Sequence, residues 1–225
     1  MVSILTLDGK GVALAIALGA LILFLGQGLG PFFLLVIILF LVTAAVVTEI
    51  GKGRKKRMGV YEERRGWQNV IANGLGPLII AAIYAADNWH FRFAVPLTTI
   101  AIVYVASVSA VAADKFASEI GVLDGEPFML LTLRRVRRGV SGGISPAGLA
   151  ASLLGSFIIS LSVSALPVGS QIALVGITAA AGFFGSIVDS VLGYFEERGI
   201  GNKYTSNFIC SLAGAVACAV LLAIF

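Results

Sequence analysis

Seven runs of apolar residues, at about 11–26, 31–48, 69–86, 93–113, 147–166, 171–193 and 207–225, leave this chain few ways to fold. Most of them approach the ~20 residues that an α-helix needs to cross a bilayer, and the first is short. Inside lipid every backbone N–H and C=O must be paired within the protein, which a helix does for itself. The expected fold is therefore all-α: a polytopic membrane helical bundle of about seven transmembrane helices, forming a single integral membrane domain over residues 1–225. A content of 58% hydrophobic and 12% charged residues leaves no stretch that reads as a soluble module. The N-terminus lacks a basic n-region and a convincing small-residue cleavage site, so the first run is expected to be a retained span.

Charge placement sets an expected orientation. Fifteen of the sixteen basic residues fall before the first run or in the segments that follow runs two, four and six; only Arg92 lies on the other side. The positive-inside rule then places the N-terminus and those three loops in the cytoplasm and the C-terminus outside. This distribution accounts for the net charge of +4, so nucleic acid is not expected as a partner. The outer loops (27–30, 87–92 and 167–170) are minimal, and the chemistry is expected at the cytoplasmic face of the cell membrane. Cys210 and Cys218 share a helix face and read as small packing residues. No convincing repeat is present, which disfavours common transporter architectures.

Five polar groups interrupt the apolar pattern at the expected cytoplasmic ends. Gly182, Gly185, Ser186, Asp189 and Gly193 fall along one helix face. Small residues there allow a second helix to approach, and a carboxylate among them requires a metal, a cation or water. Arg65, Asn69 and Asn73 form an i, i+4, i+8 stripe; they read either as a phosphate and base or sugar site or as interhelical hydrogen bonding. Asp114 and Glu119 end the fourth run. On a regular helix they diverge by about 140°, so they share a site only if the helix breaks or both flank one cleft. Arg137, Arg138, Ser141, Gly142 and Gly143 precede run five, as an anion-binding turn or, for the arginines, as topogenic charge. Asn202 and Asn207 complete the set as weaker candidates for polar contacts near a nucleotide or metal. Together the carboxylates, arginines and amides suit phosphoryl chemistry on a membrane-embedded lipid phosphate.

The motifs D-x-x-A-S-E-I-G (114–121), R-R-G-V-S-G-G-I-S (137–145), G-x-x-G-S-x-x-D-S-x-x-G (182–193) and N-x-x-x-x-N (202–207) resemble those of the integral membrane family that includes the phytyl-phosphate kinases of vitamin E synthesis. The resemblance implies transfer of the γ-phosphoryl of a nucleoside triphosphate, CTP as the expected donor, to phytyl or geranylgeranyl phosphate. It implies Mg²⁺ held by Asp114, Glu119 and Asp189, and phosphate cradled by Arg137, Arg138, Ser141, Gly142 and Gly143. Asn69, Asn73 and Asn207 would complete the nucleotide site, with Arg65, Ser186 and Asn202 as further contacts. Two alternatives stay open, a CTP-dependent lipid-phosphate cytidylyltransferase and a transporter of an anionic lipid or solute.

Overall fold

The structure, a computed structural model, describes residues 7–61, 66–91 and 95–225. Eight helices are found among these residues: α1 (Gly9–Leu25), α2 (Gly30–Glu49), the short α3 (Lys52–Arg57), α4 (Trp67–Ala86), α5 (Leu97–Gly121), α6 (Pro146–Ser160), α7 (Gln171–Glu196) and α8 (Lys203–Ile224). The only strands described are β1 (Phe128–Met129) and β2 (Gly143–Ile144), an antiparallel pair inside the loop between α5 and α6. The chain is a helical, polytopic membrane protein.

Among the described residues six helical segments are long and apolar enough to cross a membrane, against the seven expected. The difference is α1, whose 17 residues extend about 25 Å, short of a hydrocarbon core of about 30 Å. It nevertheless runs between the two ends of the bundle. Its N-cap, Asp8, accepts a hydrogen bond from the Gly11 N–H at 2.6 Å and lies beside Gly66, where α4 begins. At the other end Phe24 packs on Trp89, ring centroids 5.9 Å apart, and the Asn88 amide donates to Gln27.

The bundle is organised around α5, the most deeply enclosed span, which packs against α2, α4, α6, α7 and α8. Its residues explain this position. Ala106, Ser109, Ala110, Ala112 and Ala113 are buried and small, so neighbouring backbones come close. Gly185 of α7 shows how close: a Cβ there would lie 2.6 Å from Ala110 Cβ and 2.7 Å from the Cys210 carbonyl oxygen. The expected small-residue face of α7 is thus the face that packs, with Gly182, Gly185, Ser186 and Gly193 buried.

The two halves of the bundle differ. Toward the end opposite the basic loops, Phe33 stacks on Tyr104 at 4.1 Å between centroids and meets Tyr84 edge-on at 5.2 Å, while the Tyr104 hydroxyl donates to the Phe33 carbonyl at 3.0 Å. Toward the basic end, a cavity lined by polar side chains opens between the helices. There α5 continues unbroken to Gly121, eight residues beyond the apolar run that was read at 93–113.

Candidate functional site

Asp114 and Asp189 each lie about two turns before the end of their helices, α5 and α7, at the basic end of the bundle. The two helices run in the same direction and pack together, which brings the carboxyl groups face to face within hydrogen-bonding reach. One oxygen of the pair, Asp189 Oδ1, is enclosed and accepts no hydrogen bond from the described residues. Glu196 and Lys203 are the next charges acting on Asp189.

This pair borders a cavity of about 560 Å³ that also reaches Glu119, Glu196, Glu197, Lys203, Ser186, Ser190 and Asn207. Among the described residues five carboxylates and a single lysine line it, so the site is built for cations, or for anions that arrive with cations. Its rim is formed by Gly59, Val60 and Tyr61 after α3 and by the 139–145 turn before α6.

Glu119 follows a different course from the other two acids. Thr48 donates to it at 3.2 Å, Lys55 pairs with it at 2.5 Å, and Lys115 pairs with it from one turn back. Lys55 is 1% exposed and also donates to the Thr48 carbonyl at 2.6 Å, fastening α3 to α2 and α5. Because α5 does not break, the 140° between Asp114 and Glu119 sends them to different neighbours. Among the described residues no group of three or more His, Cys, Asp or Glu side chains is arranged to hold a metal. Of the three acids expected to share one site, Asp114 and Asp189 face each other, while Glu119 lines the same cavity and pairs with Lys55 and Lys115.

The 137–145 turn also departs from an open anion cradle. The Ser141 N–H donates to Glu197 at 2.9 Å and its hydroxyl to Glu196 at 2.6 Å, so both donors face carboxylates. Gly142 has φ +75°, and a Cβ there would lie 2.5 Å from the Ser190 carbonyl oxygen. The glycine is required by the approach of the turn to α7. Gly143 pairs with Met129 in the small sheet and borders the cavity. Arg137 and Arg138 are exposed and lie outside the cavity lining; Arg138 donates to the Gly125 carbonyl at 3.0 Å.

The amides divide as well. Asn207 is buried and borders the cavity, and its amide donates to Asn73 Oδ1 at 3.0 Å. Asn69 and Asn73 line a separate apolar groove. Asn202 caps α8, its side chain accepting from the Tyr204 and Thr205 N–H groups in a reciprocal capping box. That role accounts for Asn202 without a ligand. Arg65 lies outside the described residues.

Sequence reasoning singled out neither Glu196, Ser190 nor Lys203 as site residues. Glu196 follows Asp189 by seven residues, two helical turns on the same face, and that spacing was the available signal. Ser152 is a further cavity residue, with a buried hydroxyl that meets no partner among the described residues.

Fold and site together define a multi-pass helical membrane protein with an acidic cavity at its basic end. The chain belongs to the integral membrane protein family DUF92, whose pattern matches residues 2–211. It is similar to the uncharacterized membrane protein MJ0933 of Methanocaldococcus jannaschii, 32% identical over 93% of this chain and 83% of that one. It is also similar to Protein PGR of Arabidopsis thaliana, 26% identical over 70% of this chain and 62% of PGR. The membrane protein sll0875 of Synechocystis is 29% identical over 71% of this chain and 61% of that relative. The matched region thus spans about three fifths of the last two. No solved structure matches the chain.

Proposed function

We propose that this protein is a membrane phosphotransferase. It moves the γ-phosphoryl of a nucleoside triphosphate, CTP as the expected donor, to an isoprenyl monophosphate such as phytyl or geranylgeranyl phosphate. The reading rests above all on the facing Asp114 and Asp189 carboxylates at the base of an acidic cavity within a membrane bundle.

The pair fits Mg²⁺. It offers hard oxygen donors, one of them enclosed without a hydrogen-bond donor, and Mg²⁺ is commonly held by one or two carboxylates together with substrate phosphates. Asp114 and Asp189 would hold the ion, which when bound neutralises charge on phosphate oxygens. The protein's own residues bind and orient. Lys203 supplies a cation at the cavity wall, and Ser186 and Ser190 supply hydroxyls beside Asp189. A phosphate acceptor oxygen is already ionised at neutral pH, so no strong general base is needed. An acceptor O–P bond forms to the γ-phosphorus, the bond from that phosphorus to the β–γ bridging oxygen breaks, and the nucleoside diphosphate leaves. The aromatic packing of Phe33, Tyr84 and Tyr104 toward the end opposite the basic loops favours chemistry at one face over passage through the bundle.

The test is purified protein with Mg²⁺, each of the four nucleoside triphosphates in turn, and geranylgeranyl or phytyl monophosphate. Isoprenyl diphosphate formed with one nucleoside diphosphate per product is the expected result. Pyrophosphate with a nucleotide-linked lipid would identify a cytidylyltransferase instead. Absence of product with every donor, from protein shown to be folded, would overturn the proposal.

A further inference from the structure

The acidic cavity ends at Asn207, and the amide it holds, Asn73, forms part of the wall of a second cavity. This one is apolar. It is a groove of about 90 Å³ between α1, α2, α4 and α5, lined by Leu18, Ile37, Leu41, Ala45 and Val111 and, on its polar edge, by Asn69 and Asn73. Leu18, Ile37, Leu41 and Ala45 are half-buried, so the groove is open along the flank of the bundle that would face lipid. Gly74 lets Leu18 of α1 close against α4 at one wall of the groove, since a Cβ there would lie 2.7 Å from the Leu18 side chain. Two chemically opposite compartments therefore meet across one amide pair: an acidic cavity suited to a metal-bound phosphate, and a lipid-facing apolar slot.

We propose that the groove receives the head-proximal carbons of the acceptor lipid, whose phosphate lies in the acidic cavity beyond the Asn73–Asn207 pair. This rests on the lipid-phosphate reading above. The two compartments adjoin across the single Asn73–Asn207 hydrogen bond, and a molecule that spans both must be anionic at one end and hydrocarbon at the other. The groove has room for only the first few carbons, and the remainder of the chain lies in the bilayer. The protein consequently selects the phosphate and the start of the chain and does not measure chain length.

The test is photolabelling in phosphatidylcholine nanodiscs with an isoprenyl monophosphate carrying a diazirine near its first carbons, mapped by mass spectrometry. The expected labels fall on Leu18, Ile37 and Leu41, are competed by unlabelled isoprenyl monophosphate, and resist the matching alcohol. Ala45→Phe should lower groove labelling about tenfold, equivalent to about 1.4 kcal/mol. Val216→Phe on the exposed side of α8 should leave it unchanged. Labels spread over lipid-exposed positions, or competed equally by the alcohol, would overturn the proposal. The readout needs no turnover. Labelled groove without nucleoside diphosphate would retain the groove and reject the kinase, and turnover without groove labelling would do the reverse.

Discussion

Asp114 and Glu119 stand five positions apart on α5, and the helical rotation between them gives two carboxylates different electrostatic surroundings. Asp114 faces another acid, an arrangement that is unfavourable without a cation. Glu119 sits between two lysines, one of them fully buried. Asp189→Asn and Asp114→Asn keep side-chain size but weaken the hold on a cation. Each should lower turnover by at least about 10²-fold with the thermal transition in detergent little changed. Glu119→Gln should show the opposite pattern, because it leaves Lys55 and Lys115 buried without their anion. Breaking a buried pair in this way costs about 3–5 kcal/mol, so a fall in Tm is expected, read by thermal unfolding in detergent. If Glu119→Gln abolished turnover without lowering Tm, Glu119 would be a ligand and not a fastening for α3.

At the scale of elements, the site depends on how closely α7 meets α5, α8 and the 139–145 turn. Gly185→Ala would overpack the α5–α7–α8 contact, at a cost of about 1–3 kcal/mol, and would separate Asp114 from Asp189. Tm and turnover should therefore fall together, checked by parallel unfolding and product assays. A second element-level contact titrates. Asp124, in the loop before α6, accepts from the Ala147 N–H at 3.0 Å and the Gly125 N–H at 2.8 Å. These bonds, that from Ala147 first, hold its carboxyl below the ordinary value of 3.8. A depressed folded-state pKa contributes stability above the unfolded value that is lost as pH falls through the folded one. The Tm difference between the natural protein and Asp124→Ala should thus be fully present above about pH 5 and shrink steadily below pH 3.8.

For the whole molecule, the bundle was largely legible because lipid imposes one local rule, an apolar run of fixed length, on every span. The run at 171–193 corresponds to α7 (Gln171–Glu196) and that at 31–48 to α2 (Gly30–Glu49). Lengths at the basic end were less legible, since Asp114 and Glu119 interrupt the apolar pattern while α5 continues through them. Asp189 and Asp114 stood out as candidates because each is a carboxylate within or at the end of an apolar run, a local signal. Partners distant in sequence were not: Lys55 reaches Glu119 across 64 residues and Ser141 reaches Glu196 across 55, and only the packing of α3 and of the 139–145 turn brings them together. The orientation remains a prediction of charge placement. In a background with Cys210 and Cys218 replaced by serine, cysteine at Gly199 should react with an impermeant maleimide only after the cell is opened. Cysteine at Phe225 should react in intact cells. The central claim is that Asp114 and Asp189 form a divalent-cation centre, and Mn²⁺ electron paramagnetic resonance tests it most directly. With nucleotide present, the natural protein should remove free Mn²⁺ signal beyond what the nucleotide alone removes, and Asp189→Asn should abolish that difference. Equal Mn²⁺ binding by the two proteins would contradict the account.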